Sequence, residues 1–362
     1  MIVIFVDFDY FFAQVEEVLN PQYKGKPLVV CVYSGRTKTS GAVATANYEA
    51  RKLGVKAGMP IIKAMQIAPS AIYVPMRKPI YEAFSNRIMN LLNKHADKIE
   101  VASIDEAYLD VTNKVEGNFE NGIELARKIK QEILEKEKIT VTVGVAPNKI
   151  LAKIIADKSK PNGLGVIRPT EVQDFLNELD IDEIPGIGSV LARRLNELGI
   201  QKLRDILSKN YNELEKITGK AKALYLLKLA QNKYSEPVEN KSRKSHGRYL
   251  TLPYNTRDVK VILPYLKKAI NEAYNKVNGI PMRITVIAIM EDLDILSKGK
   301  KFKHGISIDN AYKVAEDLLR ELLVRDKRRN VRRIGVKLDN IIINKTNLSD
   351  FFDIGGHHHH HH

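Results

Sequence analysis

The beginning of the chain constrains its fold through a short apolar run that ends at a carboxylate. Residues 2–6 are all apolar, which is typical of a β-strand, and Asp7 follows them directly. A second acidic pair, Asp105 and Glu106, lies in a tight turn between two further apolar runs. Each of these acidic side chains is therefore expected to emerge where a strand ends, at the rim of a sheet.

The order of helical and strand patterns indicates how these strands are arranged. The patterns of the first half are strand 2–6, helix 11–19, strand 27–32, helix 46–53, helix 80–94, strand 99–102, strand 107–111, helix 122–135, strand 140–145 and helix 148–158. Without residues 20–77 this is a βαββαβ order, which predicts an antiparallel sheet with helices on one face. Residues 20–77 are then an insertion. The first strand and the hairpin are neighbours in such a sheet, so Asp7, Asp105 and Glu106 are expected to converge.

Three converging carboxylates repel one another unless cations lie between them. Mg²⁺ suits such a site because it prefers oxygen ligands and keeps room for substrate phosphates. Two such ions about 4 Å apart can activate a hydroxyl and stabilise a leaving pyrophosphate. The alternative interpretation is that Asp7 caps the following helix and that Asp105 and Glu106 form a polar hairpin turn.

The second half of the chain divides into a helical stretch, a basic connection and another α/β unit. Residues 170–232 have helical patterns that are interrupted by a Pro-Gly-Ile-Gly turn at 185–188. Residues 233–248 have few large apolar side chains, which predicts an exposed basic linker. The elements predicted beyond it are helix 261–277, strand 283–290, strand 302–306, helix 309–324 and strand 332–338.

The net charge of +15 is concentrated in this C-terminal part. Residues 241–350 carry 24 basic and 12 acidic side chains, whereas residues 1–240 carry 34 and 30. This imbalance indicates a polyanionic partner that is held mainly by the C-terminal part. Six of the nine histidines form an expression tag at residues 355–362, so a histidine-rich metal site is not expected.

The sequence also indicates the compartment of the protein. The lone cysteine, Cys31, lies in an apolar run and is expected to be a buried strand residue. No apolar stretch approaches the roughly 18–20 residues of a membrane span. The N-terminus lacks the basic region of a secretory signal, so a reducing, aqueous compartment, the cytoplasm, is expected.

Five motifs, found in order along the chain, resemble those of the Y-family (translesion) DNA polymerases, in particular the archaeal DinB type. They are DFDYFFA at 7–13, AVATANYEAR at 42–51, SIDEAY at 103–108, TVGVAPNK at 142–149 with AK at 152–153, and KPNG at 160–163. The resemblance covers residue 1 to about residue 340. It implies an α+β, multidomain, right-hand polymerase. The implied parts are a ferredoxin-like βαββαβ palm (1–19 and 78–166), small fingers (20–77), a helical thumb (167–232), a basic linker (233–245) and an α/β little finger (246–341).

The resemblance implies a role for each acidic residue of the predicted rim. Asp7 and Asp105 would be ligands to both of two Mg²⁺ ions, for which Mn²⁺ or Ca²⁺ could substitute. The backbone carbonyl of Phe8 would bind the ion that accompanies the nucleotide, and Glu106 would bind the catalytic ion. Such a site needs no histidine as a base, and none occurs in these motifs.

The resemblance also implies a nucleotide-binding set. Phe12 occupies the position where the family has an aromatic steric gate, which excludes a 2′-hydroxyl by bulk. Tyr48 and Arg51 are three residues apart on a helix and therefore project from one face towards a triphosphate. The remaining members of the set are Tyr10, Phe11, Ala44, Thr45 and Lys160. For Phe11 and Phe12 the alternative is a position in the core, which is the favoured interpretation for Phe11. For Tyr48 and Arg51 the alternative is a solvated helix face.

Contacts to DNA are expected in the thumb and the little finger. The turn with Gly186 and Gly188 resembles a helix-hairpin-helix motif, whose backbone N–H groups can approach a DNA phosphate. Basic side chains expected to contact phosphates are Arg243, Lys244, Arg248, Lys298, Lys300, Arg332 and Arg333. The tail 342–354 resembles a sliding-clamp-binding peptide with Leu348, Phe351 and Phe352 as its apolar plug, although Lys345 stands where Gln is usual.

These observations lead to one function and two alternatives. The sequence predicts a monomeric, template-directed DNA polymerase that adds deoxynucleoside triphosphates to a primer 3′-hydroxyl and releases pyrophosphate. Low fidelity and the lack of proofreading are implied by the resemblance. A nucleotidyl cyclase on a related palm fold leaves the basic C-terminal part without a purpose. A nucleic-acid binding protein without catalysis leaves the three carboxylates unexplained.

Overall fold

The computed structural model describes residues 1–242, 245–277 and 279–343. Its strands are β1 (Val3–Phe8), β2 (Leu28–Tyr33), β3 (Gly41–Ala46), β4 (Ile72–Pro75), β5 (Lys98–Ser103), β6 (Glu106–Asp110), β7 (Val141–Ala146), β8 (Leu164–Val166), β9 (Lys241–Ser242), β10 (His246–Thr256), β11 (Gly279–Met290), β12 (Ile295–Lys301) and β13 (Val331–Ile343). Its α-helices are α1 (Phe11–Leu19), α2 (Tyr48–Lys52), α3 (Ile61–Ile67), α4 (Lys78–His95), α5 (Phe119–Glu137), α6 (Lys149–Ser159), α7 (Val172–Glu178), α8 (Ser189–Glu197), α9 (Tyr211–Thr218), α10 (Lys220–Ala230), α11 (Val259–Asn275) and α12 (Ile308–Arg325). Short 3-10 helices lie at Pro21–Tyr23, Pro169–Glu171, Ile181–Glu183 and Leu203–Ser208.

The first sheet unit has the predicted βαββαβ arrangement. Its strands lie in the order β5-β6-β1-β7, all antiparallel, and β8 extends the sheet parallel to β7. Ile4, Val6 and Phe8 of β1 join the core on one side, whereas Val3 and Phe5 join a second core that includes residues of α6. The apolar run at residues 2–6 has no polar alternation because both faces of the sheet are covered at β1. The sequence predicted helices on one face only and therefore missed the second covering layer.

The insertion forms a sheet of its own in the order β3-β2-β4. A separate core contains Val29, Cys31 and Val43, which confirms the prediction that the cysteine is buried. The predicted helix 46–53 begins too early, because the small residues before it form β3 and α2 begins at Tyr48. Asn47 ends the strand and caps the helix, since its side chain accepts the N–H of Ala50 at 3.0 Å.

Helices α7 to α10 and the 3-10 turns between them form the predicted helical stretch. Their buried residues, among them Leu195 and Leu226, share the second core with Val3 and Phe5 of β1. The packing therefore holds the helical stretch against the face of the first sheet opposite to α4. The Pro-Gly-Ile-Gly turn directly precedes α8, whose N-terminal flanking residue is Gly188.

The C-terminal unit repeats the βαββαβ element order with another strand arrangement. Strands lie in the order β12-β11-β13-β10, all antiparallel, and α11 and α12 cover one face. The predicted strand 302–306 is wrong, because the strand is β12, which ends at Lys301. β12 is an edge strand with three lysines, and such charges are typical of edges but hide the apolar alternation that a sequence pattern relies on.

The connection between the two units was expected to be an exposed linker, and the structure differs. Val238 is buried, and β9 pairs in parallel with β5 and antiparallel with β13, which joins both units in one ten-stranded sheet. The buried Glu100 of β5 accepts two bonds from Lys149 at 2.9 and 3.0 Å and one from the Glu239 N–H at 3.3 Å. A strand of two paired residues gives no periodic signal, so composition alone suggested a linker.

No helix in the described part of the chain is long and apolar enough to cross a membrane.

Candidate active site

The rim of the first sheet brings the three predicted carboxylates together. The register of β1 and β6 places Asp7 opposite Glu106, and the N–H of Phe8 donates to the carbonyl of Asp105 at 2.9 Å. Cross-strand partners project from the same face, so Asp7 and Glu106 emerge side by side. Asp7 follows Val3 and Phe5 on the face covered by α6, at the point where the apolar packing ends.

A cleft of about 290 Å³ opens at this rim and unites residues that are distant in sequence. Its lining residues are Asp7, Phe8, Asp9, Tyr10, Phe11, Thr45, Tyr48, Arg51, Asp105, Glu106 and Lys160. All of these except Asp9 are residues that the sequence analysis proposed for metal or nucleotide binding. Phe12 and Ala44 are only partly buried, and neither belongs to the lining.

The electrostatics of the cleft favour a bound cation. Burial raises the pKa of Asp7 to about 7, against the opposing effect of Lys160, whose Nζ lies 2.7 Å from Oδ2 of Asp7. Burial also raises the pKa of Asp105, although Ser103 donates to its carboxylate at 2.7 Å. The two other carboxylates raise the pKa of Asp7 further. Burial and mutual repulsion make the ionised forms of these carboxylates unfavourable. A cation bound between them would stabilise the ionised forms.

The donor set fits Mg²⁺. It consists of carboxylate oxygens and a backbone carbonyl, which are the ligands that this hard ion prefers. Two lysines contact the cluster: Lys160 contacts Asp7, and Nζ of Lys153 lies 3.0 Å from Glu106. A tighter group of acidic side chains lies elsewhere in the described residues, at the surface of the helical stretch. The carboxylate oxygens of this group lie within 4.8 Å of one another, and its members are Asp180, Asp182 and Glu183. The carboxylates of the cleft are therefore more widely spaced than in that group.

Basic and hydroxyl groups complete the lining of the cleft. The guanidinium of Arg51 lies over the ring of Tyr48 at 4.7 Å, and the ring of Tyr10 meets Tyr48 edge-on at 5.5 Å. Nε of Arg51 donates to the carbonyl of Ala46 at 2.8 Å, which fixes the stem of the side chain. Burial raises the pKa of Tyr48, so its phenol remains a hydrogen-bond donor.

Asp9 is a lining residue to which the sequence analysis assigned no role. Its carboxylate accepts the hydroxyls of Thr140 and Thr142 at 2.8 and 2.7 Å and the N–H of Asn162 at 2.9 Å. Asp9 therefore ties the end of β1 to β7 and to the turn that carries Lys160. Its place two residues after Asp7 was the signal in the sequence that could have drawn attention to Asp9. Its hydrogen-bond partners lie at least 131 residues away along the chain, so its role could not be predicted from local sequence.

The aromatic residues after Asp9 separate into different environments. Phe11 is 2% exposed and packs edge-on against Phe8, so its side chain lies in the core although the residue borders the cleft. Phe12 is partly exposed, and its ring stacks on that of Tyr81. The alternative of a core position therefore describes Phe11, whereas Phe12 is partly exposed and packs against the edge of the same core.

The turn before α8 exposes the backbone that a phosphate would approach. Gly186 has a φ of +90°, a conformation that favours glycine, and a Cβ at Gly186 or Gly188 would meet no atom within 4 Å. Free space therefore lies over the turn. The hydroxyl of Tyr225 donates to the carbonyl of Pro185 at 3.1 Å and anchors the turn to α10.

Strand register divides the predicted basic residues of the C-terminal unit between two faces. Lys298 and Lys300 lie opposite Val286 and Ile284, whose side chains belong to the core under the helices. Arg248 also points to the helix side, where its Nε lies 2.5 Å from Glu272 of α11.

The opposite face of this sheet carries Arg333, which the sequence analysis selected, and three further cations that it did not select. Arg333 lies on it together with Lys337, Arg283 and Lys301, since all four alternate with core residues in the register. Arg332 is exposed beside an irregularity in the pairing of β13 with β11. Arg243, Lys244, Leu348, Phe351 and Phe352 lie outside the described residues.

Comparisons with known proteins agree with this geometry. The family described as impB/mucB/samB matches residues 6–157, and the helix-hairpin-helix motif of the same family matches residues 169–200. A DNA polymerase IV of Sulfolobus acidocaldarius is 99% identical over 98% of this chain and 100% of its own length. A DNA polymerase IV of Sulfurisphaera tokodaii is 64% identical over 98% of this chain and 100% of its own length. The solved insertion ternary complex of Dbh DNA polymerase is 99% identical, with a TM-score of 0.88 over 95% of this chain and 100% of that one.

The fold and the cleft define a DNA-directed DNA polymerase, a nucleotidyltransferase of the translesion class. The chain belongs to the Y-family of DNA polymerases, in the archaeal DinB type whose curated members are named DNA polymerase IV. The predicted fold class and function are confirmed, and the cyclase and non-catalytic alternatives are not favoured.

Proposed function

We propose that the cleft is the polymerase active site and that it works with two Mg²⁺ ions. Asp7, Asp105, Glu106 and the backbone carbonyl of Phe8 would hold them. Bound there, the ions would lower the pKa of a primer 3′-hydroxyl and offset charge on the leaving pyrophosphate. The observation that carries this proposal is a single cleft whose lining contains three carboxylates together with Tyr48, Arg51 and Lys160.

We propose that the basic and hydroxyl groups of the cleft hold the incoming deoxynucleoside triphosphate. Arg51 and Lys160 would neutralise the phosphates, and the phenols of Tyr48 and Tyr10 and the hydroxyl of Thr45 would offer hydrogen bonds. Lys160, which contacts Asp7 in this structure, would turn from the carboxylate to the phosphates when both substrate and cations enter. Phe12 would lie against the sugar and exclude a 2′-hydroxyl by its bulk.

We propose that the units act as the parts of a right hand around primer-template DNA. Residues 1–19 and 78–166 would be the palm, 20–77 the fingers, 167–232 the thumb and 246–341 the little finger. The turn at Gly186 and Gly188 would bind a backbone phosphate through its N–H groups. This assignment is supported by the match of the helix-hairpin-helix model and by the solved ternary complex of a 99% identical polymerase. Action in the cytoplasm and as a monomer is part of the same proposal.

The face of the C-terminal sheet opposite its helices is proposed as the duplex grip. The double replacement of Lys301 and Lys337 by alanine is expected to weaken DNA binding. It should also make the negative slope of log K against log salt shallower by about 2, because each lost phosphate contact removes about one released counterion. The measurement is fluorescence anisotropy of a labelled primer-template over a range of NaCl concentrations. The control is Lys313→Ala, because this residue lies on α12, on the other side of the sheet. An unchanged slope in the double variant would contradict the grip.

The tail 342–354 is proposed to bind a sliding clamp through Leu348, Phe351 and Phe352, and it lies almost wholly outside the described residues. Deletion of residues 345–354 is expected to abolish stimulation by the clamp while basal primer extension stays the same, because the active site is elsewhere. Extension of a long template with and without the clamp provides the measurement. Equal stimulation of the full chain and the deletion variant would refute the role of the tail.

A further inference from the structure

A buried polar network lies beside Phe12, and none of its members was selected from the sequence. Glu16 lies four residues after Phe12 on α1, so both side chains project from the same face of the helix. The carboxylate of Glu16 is 2% exposed, accepts Nε of Arg77 at 3.0 Å and forms an ion pair with the same guanidinium. The hydroxyl of Tyr81 donates to the same carboxylate at 2.6 Å.

The ring of Tyr81 transmits this network to Phe12. The two rings are stacked, with centroids 4.7 Å apart and planes 15° from parallel. Tyr81 is fully buried, whereas Phe12 is partly exposed. One side of the Phe12 ring therefore rests on a rigid surface, whose position depends on the bond between Tyr81 and Glu16.

Two features separate this arrangement from ordinary core packing. A leucine or a second phenylalanine would fill the space under Phe12 without placing a charge in the interior, and burying an ionised carboxylate is unfavourable unless partners surround it. Here the partners are Arg77 and Tyr81, at the start of α4 and within it, so the network fixes the distance between α1 and α4 as well as the plane of the ring. Burial and the bond to Glu16 raise the pKa of Tyr81, so its phenol stays protonated and remains a donor.

We propose that Glu16 and Tyr81 are positioning residues that fix the plane of the Phe12 ring and thereby set the discrimination between deoxyribonucleotides and ribonucleotides. The inference rests on the proposed role of Phe12 as a sugar gate. A gate that works by bulk is effective only when its ring cannot move aside, and displacements of about 1 Å at reacting sites change rates by up to about a hundredfold. Arg77 contributes by holding the carboxylate of Glu16.

The test measures the ratio of kcat/KM for a deoxyribonucleoside triphosphate to that for the matching ribonucleotide. Tyr81→Leu removes the surface under the ring and is expected to lower this ratio at least about tenfold, with a smaller change in kcat/KM for the deoxyribonucleotide. Glu16→Gln is expected to lower it by a smaller factor. Tyr81→Phe keeps the ring but removes the hydroxyl that donates to Glu16, so it too should lower the ratio by less than Tyr81→Leu does.

A matched control is available in Glu100, a second buried glutamate with a cationic partner. Glu100 is 1% exposed and pairs with Lys149 away from Phe12. Both Glu100→Gln and Glu16→Gln are therefore expected to lower the melting temperature, but only Glu16→Gln should change sugar discrimination. A fall in discrimination of the same size in Glu100→Gln would show a general effect of destabilisation and would overturn the inference.

Phe12→Ala in the same assay separates this inference from the proposed gate. If Phe12→Ala relaxes discrimination and adding Tyr81→Leu to it causes no further loss, Tyr81 acts through Phe12. If Phe12→Ala relaxes discrimination but Tyr81→Leu and Glu16→Gln alone do not, the positioning role is wrong and the gate stands. If Phe12→Ala itself discriminates as well as the unmodified protein does, the gate proposal fails.

Discussion

Replacing Asp105 with asparagine is expected to lower the rate of primer extension with Mg²⁺ by about three orders of magnitude. The amide keeps the size of the side chain but removes a charged oxygen ligand, and several kcal/mol of transition-state stabilisation by metal correspond to about a thousandfold in rate. Single-turnover extension of a primer-template by one nucleotide measures the effect. Asp105→Ala should be at least as inactive.

The same substitution is expected to leave stability unchanged or to raise it. Burial and the neighbouring Glu106 raise the pKa of Asp105, so its ionised form is unfavourable in the folded protein without cations. Added Ca²⁺ should therefore raise the melting temperature of the unmodified protein and should have little effect on that of Asp105→Asn. The control is Asp174→Asn, because Asp174 is an exposed acid of α7 that lies neither in the cleft nor in the group of Asp180, Asp182 and Glu183. Full extension activity in Asp105→Asn would contradict the proposed metal site.

Replacing Phe12 with alanine is expected to raise the efficiency of ribonucleotide insertion by about a hundredfold while deoxyribonucleotide insertion falls much less. The physical reason is steric, because a small side chain leaves room for a 2′-hydroxyl, and such pocket effects are worth about 10- to 200-fold. Insertion kinetics with a deoxyribonucleotide and its ribonucleotide counterpart measure the ratio. Phe12→Tyr should keep the exclusion, because the ring and not a polar group rejects the hydroxyl.

A phenylalanine elsewhere in the same unit provides the control for this variant. Phe119, the first residue of α5, is partly exposed and packs against the same core as Phe12. Phe119→Ala should therefore lose some stability without any gain in ribonucleotide insertion. Equal exclusion of ribonucleotides by Phe12→Ala and by the unmodified protein would refute the gate.

The sequence was sufficient for residues whose roles depend on local order. Asp7 and the pair Asp105 and Glu106 lie at strand ends, and the βαββαβ order alone predicts that they meet, as the register of β1 and β6 shows. Helical spacing predicts that Tyr48 and Arg51 share one face of a helix, whereas their role towards a nucleotide is implied by the resemblance. The motifs that contain these residues also indicate the family, because their order and spacing are preserved along the chain.

Other site features depend on partners that are far apart along the chain. Asp9 binds Thr140, Thr142 and Asn162, and Glu16 binds Arg77 and Tyr81. No periodicity within one element reports such pairs, because side chains at least 61 residues apart meet only after the sheet and its helices have packed. Buried carboxylates of this kind look in the sequence like ordinary acids on a helix face.

By itself, the sequence determined the element order of the first sheet unit, the carboxylate rim and the excess of positive charge beyond residue 240, whereas in the C-terminal unit it missed β10 and misplaced β12. Tertiary structure alone decided which face of the C-terminal sheet each cation occupies, since one residue of register moves a side chain to the opposite face. It also decided that the connection expected to be an exposed linker carries β9, which joins both units in one sheet. Strand pairing is non-local, and the backbone N–H and C=O groups of β9 can pair whatever its side chains are. Composition therefore could not reveal this strand.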